Sequence, residues 1–250
     1  MDKRKIVKAI LEYDRKIQKE AKSPSVNFAG EKFVEDIKAN EFLLKHPNAF
    51  LFGVIFDQGI LAEKAWSAPY ILKQRLGHFD LKKMVLASSK KIREKVTQKP
   101  ALHRYHYLGD WIYEAAKKIL EEYKGNASNI WEGNLSAKEV RRRFLEFKGI
   151  GPKKANMAVR ILKKTFKVKF GGMCTIDVPY DIHVRRVFLR TGFVERDSIK
   201  TITEAARRLY PKEPSRLDAV WHIGKNFCHP RNPECRKCSL DKVCPKIGVN

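Results

Sequence analysis

The sequence has no long apolar segment of the kind that marks a membrane protein or an exported one. No apolar run approaches the roughly 18 residues that a membrane-spanning helix needs. The first 20 residues are highly charged and include no apolar core of a signal peptide. We therefore expect a protein that lies inside the cell and not in a membrane.

Strand-like alternation, internal repeats and low-complexity stretches are also missing. Nowhere do apolar and polar residues alternate over the length of a half-buried β-strand. Apolar residues recur instead at the spacing of three and four that is typical of amphipathic helices. Segments with a helical pattern are residues 3–22, 49–56, 62–76, 105–123, 136–147, 152–165, 181–190, 199–210 and 215–227. The pattern predicts an all-α fold, with one longer loop near residues 166–180.

Acidic residues are few relative to basic ones. Lys and Arg number 52 against 28 Asp and Glu, which gives a net charge of +24 at pH 7. A surface with this excess repels itself unless it meets a polyanion, and nucleic acid is the commonest such partner. Charge alone does not separate DNA from RNA or from anionic lipid. A solubilising surface rich in Lys, Arg and Glu would also produce it.

Cysteine is scarce, and four of the five cysteines are clustered near the C-terminus. Cys228, Cys235, Cys238 and Cys244 follow the spacing C-x6-C-x2-C-x5-C, whereas Cys174 stands apart. Clustering in a chain without a secretory signal favours a metal centre over disulfides. Thiolates select zinc or an iron–sulfur cluster, and the residues alone do not choose between the two. The spacing matches neither a typical zinc ribbon nor the bacterial ferredoxin run.

A glycine turn, F-K-G-I-G-P-K-K-A-N, joins two predicted helices at residues 147–156. Gly149 and Gly151 allow a tight turn, and Pro152 suits the first turn of the next helix. Backbone N–H groups at a helix start can bind a phosphate. A dinucleotide-binding turn is excluded, because the preceding residues 141–147 are charged and helical instead of forming an apolar strand.

The glycine turn and the cysteine spacing together resemble the endonuclease III family of DNA glycosylases. The turn is similar to the family's helix–hairpin–helix, and the cysteines are similar to its C-terminal cluster loop. Residues 180–187, Y-D-I-H-V-R-R-V, resemble the family's V-D-x-H-V/I segment. Residues 56–59, F-D-Q-G, resemble the turn whose glutamine fills the gap left by an extruded base. The resemblance runs from about Phe33 to Lys246.

This resemblance implies an all-α, two-lobed helix–hairpin–helix glycosylase fold with an iron–sulfur cluster loop. One lobe would be a central helical bundle of residues 41–165, with the helix–hairpin–helix at about 136–165. The other would join residues 1–40 to 166–250 and carry the cluster loop at 228–244. DNA would lie across the cleft between the lobes.

The resemblance also implies two catalytic residues. Lys153 stands where lyase-competent members carry their nucleophilic lysine, with Lys154 as its rival. Asp181 matches the family's essential aspartate, which can stabilise a cationic sugar as the base leaves. Asp181 also suits the N-cap of the helix that begins there. We expect Lys153 and Asp181 to face each other across the DNA, with a lysine Schiff base followed by β-elimination.

Further expectations concern ligands and partners. The residues expected to bind DNA are Gln58, Tyr105, Gly149, Gly151, Lys154 and Arg186. Gln58 would replace the extruded base, and Tyr105 would supply a second wedge. The four clustered cysteines would hold a [4Fe–4S] cluster. The partner would be double-stranded DNA with a damaged base or an abasic site, bound by a monomer.

Two departures from the family pattern leave the excised lesion open. Tyr180 stands where a small aliphatic residue is usual, and the segment between the glycine turn and Asp181 is longer than in endonuclease III. Three alternatives remain beside the glycosylase with lyase activity. They are a glycosylase without lyase activity, a catalytically silent iron–sulfur protein that binds DNA, and an RNA-binding protein.

Overall fold

The computed structural model of the chain describes residues 2–20, 32–171 and 176–249. In them the chain forms the helices α1 (Lys3–Glu20), α2 (Ile37–Lys45), α3 (Pro47–Phe56), α4 (Ala62–Leu76), α5 (Leu81–Leu86), α6 (Ser89–Thr97), α7 (Leu108–Glu122), α8 (Ala137–Phe144), α9 (Pro152–Lys164), α10 (Ile182–Arg190), α11 (Ile199–Leu209) and α12 (Ala219–Asn226). Short 3₁₀ helices span Ala127–Ile130, Pro214–Asp218 and Cys235–Lys237. The described residues contain no β-strand, so the prediction of an all-α fold is confirmed. None of these helices is long and apolar enough to cross a lipid bilayer.

The helices belong to two compact units, each with its own core. The smaller unit consists of Met1–Lys22 together with Met173–Asn250, and the larger unit is Ser23–Gly172. Helices α2 to α9 belong to the larger unit, and α1 and α10 to α12 belong to the smaller one. Cys174 and part of the loop predicted near residues 166–180 lie outside the described residues.

The limits of the units differ from the predicted lobe limits at residues 41 and 165. The ring of Phe33 lies 4.8 Å from that of Trp66, and the ring of Phe166 lies 5.0 Å from that of Phe50. These contacts place the described segments on either side of the predicted bundle with the larger unit. The sequence carried no sign of them, because each joins residues that are far apart along the chain.

Helix α3 lies inside the larger unit because it is apolar on every side. After its first two residues it reads A-F-L-F-G-V-I-F, and each of these eight residues is buried. A helix without a polar face has to be surrounded by other elements, since water would otherwise meet its apolar side chains. Helices α2, α4 and α7 pack against it. Asp57 and Gln58, the polar residues that follow Phe56, therefore lie at the end of a helix that is buried within the unit.

Helix α4 packs closely on α3 at Gly53. A Cβ on Gly53 would lie 2.6 Å from Cε3 of Trp66, so only glycine lets this indole ring lie on the helix. Trp66 thus packs against the last turn of α3, just before the chain enters the turn that contains Gln58.

The smaller unit has a separate apolar core formed by its four α-helices and the residues between them. Its buried members include Ile6, Ile10, Val184, Phe188, Ile202, Val220 and Ile223. Within each helix these residues recur at spacings of three or four, as expected for one buried face. Arg216 donates to Asp14 at 3.0 Å, and the Asp14 side chain is only 6% exposed. Helix α10, which follows Asp181, is packed into this core.

Some helices were missed or begin elsewhere than predicted. Helices α2, α5 and α6 were not predicted, and the last two are short and lysine-rich, with two buried apolar residues each. The segment 105–123 was predicted as one helix, but α7 begins at Leu108. The N–H of Tyr105 donates to Nδ1 of His103 at 3.0 Å, so this residue belongs to the preceding loop. Residues 214–218 form a 3₁₀ helix before α12.

Candidate functional site

The glycine turn of residues 147–156 forms a tight hairpin between α8 and α9. Gly149 has a φ of +82°, a conformation that strains any residue with a side chain. A Cβ there would also lie 2.4 Å from Cε3 of Trp111. Ile150 is buried, and Arg141 Nε donates to Asn156 Oδ1 at 2.7 Å, which links the two helices. The hairpin is therefore held from behind while its outer side is exposed.

The N-terminal turn of α9 presents charge and backbone donors to solvent. Gly151 is the N-cap and has no side chain to accept a hydrogen bond, and Pro152 follows it. No side-chain cap therefore occupies the first backbone N–H groups of the helix, which can bind an anion. Lys148, Gly151 and Lys153 are all exposed. This turn can receive a phosphate group, and DNA binding by Gly149 and Gly151 stays a prediction.

Lys153 and Lys154 are neighbours in the chain but lie in different surroundings. The side chain of Lys153 is exposed, whereas Nζ of Lys154 donates to the backbone oxygen of Ile55 at 2.8 Å. Burial lowers the pKa of Lys154 to about 8, and the charge of Asp57 opposes that shift. Burial also raises the pKa of Asp57, against the opposing effect of both lysines and of Trp66. The amine of Lys154 thus faces the end of α3.

His103 joins the turn that contains Gln58 to the loop that contains Tyr105. It is 1% exposed, and its Nδ1 accepts the N–H of Tyr105. Its Nε2 therefore carries the proton and donates to the backbone oxygen of Gln58 at 2.9 Å. The pKa of His103 is lowered, chiefly by burial and further by Arg104, Lys154 and Lys64. A neutral imidazole thus connects the two predicted wedges.

An aromatic stack leads from this loop to the hairpin. The rings of Tyr105 and Tyr107 are nearly parallel, with centroids 5.2 Å apart, and Tyr107 lies 4.6 Å from Trp111. Trp111 is the ring against which Gly149 packs. The guanidinium of Arg104 lies over Tyr105 at 4.7 Å and donates to its hydroxyl group at 2.8 Å. The stack joins the Tyr105 loop to the hairpin within the larger unit.

Asp181 lies in the smaller unit and is the N-cap of α10. Its Oδ1 accepts the backbone N–H groups of His183 and Val184 at 3.0 and 2.9 Å. The predicted capping role is therefore present. Both bonds reach the same oxygen, which leaves Oδ2 without a hydrogen-bond partner among the residues that the structure describes. A carboxylate held in this way can accept a further proton or face a cationic group.

The clustered cysteines line one cavity in the smaller unit. The four are Cys228, Cys235, Cys238 and Cys244, and the lining also includes apolar side chains of α10 and α12 and the charged residues Arg190, Asp241 and Lys246. All four are free thiols. Burial raises the pKa of Cys238 to about 11 and raises that of Cys244, and the neighbouring thiols add to both shifts. Metal binding would therefore have to release protons from these groups.

Nowhere in the described ranges are three or more His, Cys, Asp or Glu side chains grouped so that they could hold one metal ion. A zinc site would need four sulfur atoms at about 2.3 Å from one ion. The four thiols line one cavity, and the metal group that they would hold stays a prediction.

Two arginines of α10 hold the cysteine loop. Arg186 donates to the backbone oxygens of Cys228 and Gly224, the latter at 2.8 Å. Arg190 donates to the backbone oxygen of His229 at 2.6 Å and lies 3.3 Å from Sγ of Cys228. The expectation that Arg186 binds DNA stays a prediction, and within the unit its guanidinium serves to position this loop.

Comparison with known proteins yields short matches in sequence and long ones in structure. No protein-family model matches the chain. It is 31% identical over 111 residues to endonuclease III homolog 1, chloroplastic, of Arabidopsis thaliana, which covers 41% of this chain and 27% of that protein. It is 27% identical over 142 residues to endonuclease III of Synechocystis, which covers 56% of each. The chain thus spans about half or less of the length of these relatives.

Solved structures match over most of the chain. A thermostable thymine-DNA glycosylase superposes with a TM-score of 0.59 at 16% identity, covering 97% of this chain and 95% of that one. An 8-oxoguanine glycosylase/lyase of Clostridium acetobutylicum, bound to double-stranded DNA, superposes with a TM-score of 0.51 at 14% identity. It covers 86% of this chain and 70% of that one.

The chain is endonuclease III-like and has the fold of the helix–hairpin–helix DNA glycosylases. The predicted all-α helix–hairpin–helix glycosylase fold is thereby confirmed, and the iron–sulfur cluster loop stays a prediction. Because the solved structures are under 25% identical to the endonuclease III-like chain, they establish its fold and nothing finer.

The structure brings several predicted site residues together within the larger unit, and the others belong to the smaller unit. Gln58, Tyr105, Gly149 and the two lysines all belong to the larger unit, where His103 and the aromatic stack connect them. Asp181 belongs to the smaller unit, so its predicted position opposite Lys153 stays a prediction.

Sequence reasoning assigned no role to two residues of this site. They are Asp57 and His103. Asp57 was visible as the acid before Gln58, but nothing along the chain linked it to lysines nearly 100 positions away.

Proposed function

We propose that the endonuclease III-like chain is a DNA glycosylase of base excision repair with an associated AP lyase activity. The observation that supports this best is the exposed side chain of Lys153 in the first turn of α9, directly after the glycine hairpin. The relatives and structural neighbours named above carry the names of enzymes that act on DNA. The substrate would be double-stranded DNA with a damaged base or an abasic site.

Lys153 would act as the nucleophile. Its amine attacks C1′ of the sugar, and the bond from C1′ to the base breaks as the base takes up a proton. The nitrogen then loses a proton, the C1′–O4′ bond breaks as O4′ gains one, and a Schiff base forms between lysine and the opened sugar. Loss of the 3′ phosphate by β-elimination then cuts the strand. Binding of the adjacent phosphate by the backbone N–H groups of α9 and by Lys148 would hold the sugar in reach.

Lys154 is a poorer nucleophile in this arrangement because its amine is directed inward. It is bound to the backbone oxygen of Ile55 at 2.8 Å and lies next to the acid Asp57. To attack a sugar it would have to break that hydrogen bond and leave its half-buried position. We expect Lys154 to support the hairpin and its positive charge to attract the DNA backbone.

Asp181 would stabilise positive charge on the sugar as the base leaves. Its capping bonds hold the carboxylate through Oδ1, and Oδ2 can face the substrate. Gln58 and Tyr105 would fill the space left by the extruded base. Their shared connection to His103 supports this pairing, because it holds both loops in one arrangement.

Cys228, Cys235, Cys238 and Cys244 would hold a [4Fe–4S] cluster. When bound, such a cluster supplies a rigid centre that ties the ends of the loop together. Arg186 and Arg190 support the loop from α10, the helix that Asp181 caps. The net charge of +24 favours binding of the protein, as a monomer, to the DNA backbone.

The proposal is tested by trapping the lysine adduct with borohydride on duplexes that contain an abasic site or a single lesion. The wild-type protein should give a covalent complex with DNA, and Lys153→Ala should abolish it. Lys154→Ala is the matched control, which should still trap. If Lys153→Ala traps as well as the wild type, the assignment of Lys153 is wrong.

The same duplex panel separates the alternatives. Base release without trapping would indicate a glycosylase that lacks lyase activity. Binding to DNA without base release from any lesion would favour a catalytically silent iron–sulfur protein. Oxidised pyrimidines, mismatched thymine or uracil, and 8-oxoguanine belong on the panel, since Tyr180 departs from the family pattern and leaves the lesion open.

A further inference from the structure

Helices α5 and α6 carry an excess of positive charge that the glycine hairpin does not account for. Their sequences, L-K-K-M-V-L and S-K-K-I-R-E-K-V-T, contain six basic residues and a single acid, Glu94. Two exposed lysines lie in α5, and two more lie in the first turn of α6. We call these four residues the basic corner: Lys82, Lys83, Lys90 and Lys91.

The charges of the basic corner are not neutralised within the described residues. None of its four ammonium groups forms an ion pair or a hydrogen bond there. Another basic part of the same unit is arranged differently, since Arg142 of α8 pairs with Glu139 at 2.8 Å and with Glu146 at 2.6 Å. Neighbouring like charges repel each other, so an anionic partner would stabilise the basic corner.

Helix α6 holds the basic corner against the first turn of α7. Ser89 and Arg93 of α6 both donate to Oδ1 of Asp110, and the bond from Arg93 Nη2 measures 2.9 Å. A Cβ on Gly109 would lie 2.4 Å from Cα of Arg93, so α6 packs closely on this turn. Trp111, the next residue of the turn, is the ring against which the glycine hairpin packs. The first turn of α7 therefore contacts both α6 and the hairpin.

The apolar residues of α5 and α6 favour a nucleic-acid backbone over an anionic membrane as the partner. A helix that lies on a membrane binds it by burying an apolar face in the lipid. Here Leu81, Met84, Ile92 and Val96 are buried within the protein, and only Leu86 is left largely exposed, at 87%. Binding to phosphates needs cations and no apolar face. The basic corner meets that requirement.

We propose that the basic corner binds phosphate groups of the duplex, beside those that the glycine hairpin would bind. This inference rests on the proposed function, because it concerns the same DNA. Since hairpin and corner both adjoin the first turn of α7, the corner lengthens the stretch of backbone that the larger unit holds. Phosphate contacts position a protein without reading the sequence, so undamaged duplex DNA is bound in the same way.

The test measures the affinity for an undamaged duplex by fluorescence anisotropy at several salt concentrations. In Lys90→Gln combined with Lys91→Gln, the slope of log K against log salt should become shallower by about 0.9 for each lost contact, or about 1.8 for the pair. Affinity near 0.15 M salt should then fall by more than about tenfold. Lys82→Gln combined with Lys83→Gln should behave similarly. Glu94→Gln removes the acid beside these lysines and should bind more tightly.

Lys38→Gln combined with Lys45→Gln is the matched control. Both lysines are exposed in α2, a helix of the same unit that packs on α3 and α4, and the change in net charge is the same. This control should retain most of the wild-type slope, because it removes charge without removing a contact. Thermal unfolding of every variant shows that it is folded.

The inference is overturned if the slopes of the α5 and α6 pairs change no more than that of the control. It is also overturned if these pairs lose binding to vesicles of phosphatidylserine and phosphatidylcholine while DNA binding stays as in the control, since the corner would then serve a membrane. Failure of the proposed function looks different. In that case the wild type binds DNA with its full salt dependence but releases no base and gives no trapped adduct.

Discussion

Gly149 and Gly151 flank one residue of the hairpin, yet the structure predicts opposite outcomes when each is changed to alanine. Gly149 has a φ of +82°, and an added Cβ would lie 2.4 Å from Trp111. Gly151 has a φ of −85°, and a Cβ there would meet nothing within 4 Å. Gly149 is therefore required by the fold, whereas Gly151 is tolerated by it.

The expected cost of Gly149→Ala follows from two effects. A residue with a side chain in the left-handed region costs about 1–2 kcal/mol. An extra carbon forced against a packed ring costs about 1–3 kcal/mol, and Trp111 is backed by Tyr107 at 4.6 Å. The sum is about 2–5 kcal/mol, which corresponds to a fall of about 10 °C in the melting temperature of a unit of this size. Gly151→Ala should cost less than about 1 kcal/mol, because its Cβ meets no atom and the loss comes only from alanine being a poorer N-cap than glycine.

Thermal unfolding and DNA binding are measured together on the two variants. Gly149→Ala should melt earlier and bind abasic duplex DNA weakly, because the hairpin has shifted. Gly151→Ala should melt like the wild type but bind more weakly, since its methyl group would stand between the backbone and a phosphate. If Gly149→Ala melts within about 2 °C of the wild type, the close packing of the hairpin on Trp111 is refuted. Equal affinity of Gly151→Ala and the wild type would refute the phosphate contact.

Two further predictions concern the pH dependence of stability and the cysteine loop. Because burial lowers the pKa of His103 below its ordinary value of 6.5, the unfolded chain binds a proton more readily than the folded one once the pH falls below about 6.5. The contribution of His103 to the stability of the fold is thus complete above pH 6.5 and declines below it. The melting temperature of His103→Gln should therefore fall less between pH 7.5 and pH 5 than that of the wild type. In protein purified without oxygen, Cys238→Ser should lose the broad violet-blue absorbance of an iron–sulfur cluster. Cys174→Ser is the control and should keep this absorbance, because Cys174 is not one of the four clustered cysteines. A colourless wild type that contains zinc would contradict the assignment.

The sequence by itself determined the features that depend on neighbours along the chain. Helical spacing predicted the all-α class because the apolar residues on the buried face of an amphipathic helix recur every three or four positions. The hairpin was recognisable because its glycines and Pro152 are local requirements of backbone conformation. The four cysteines were recognisable because a loop must carry its ligands within a short reach. Asp181 was predicted as an N-cap for the same local reason, and the structure has it there.

Only the tertiary structure decided which of these groups meet. Lys153 and Lys154 are the same residue type and are adjacent in the sequence. They differ because the amine of Lys154 donates to the backbone oxygen of Ile55 near the end of α3. The larger unit extends beyond residues 41 and 165 because Phe33 and Phe166 contact aromatic rings of distant helices. The position of His103 against the backbone oxygen of Gln58 likewise arises from a contact across a long stretch of sequence. Such contacts leave no periodic trace, since they depend on how whole helices pack and not on the order of residues within any one of them.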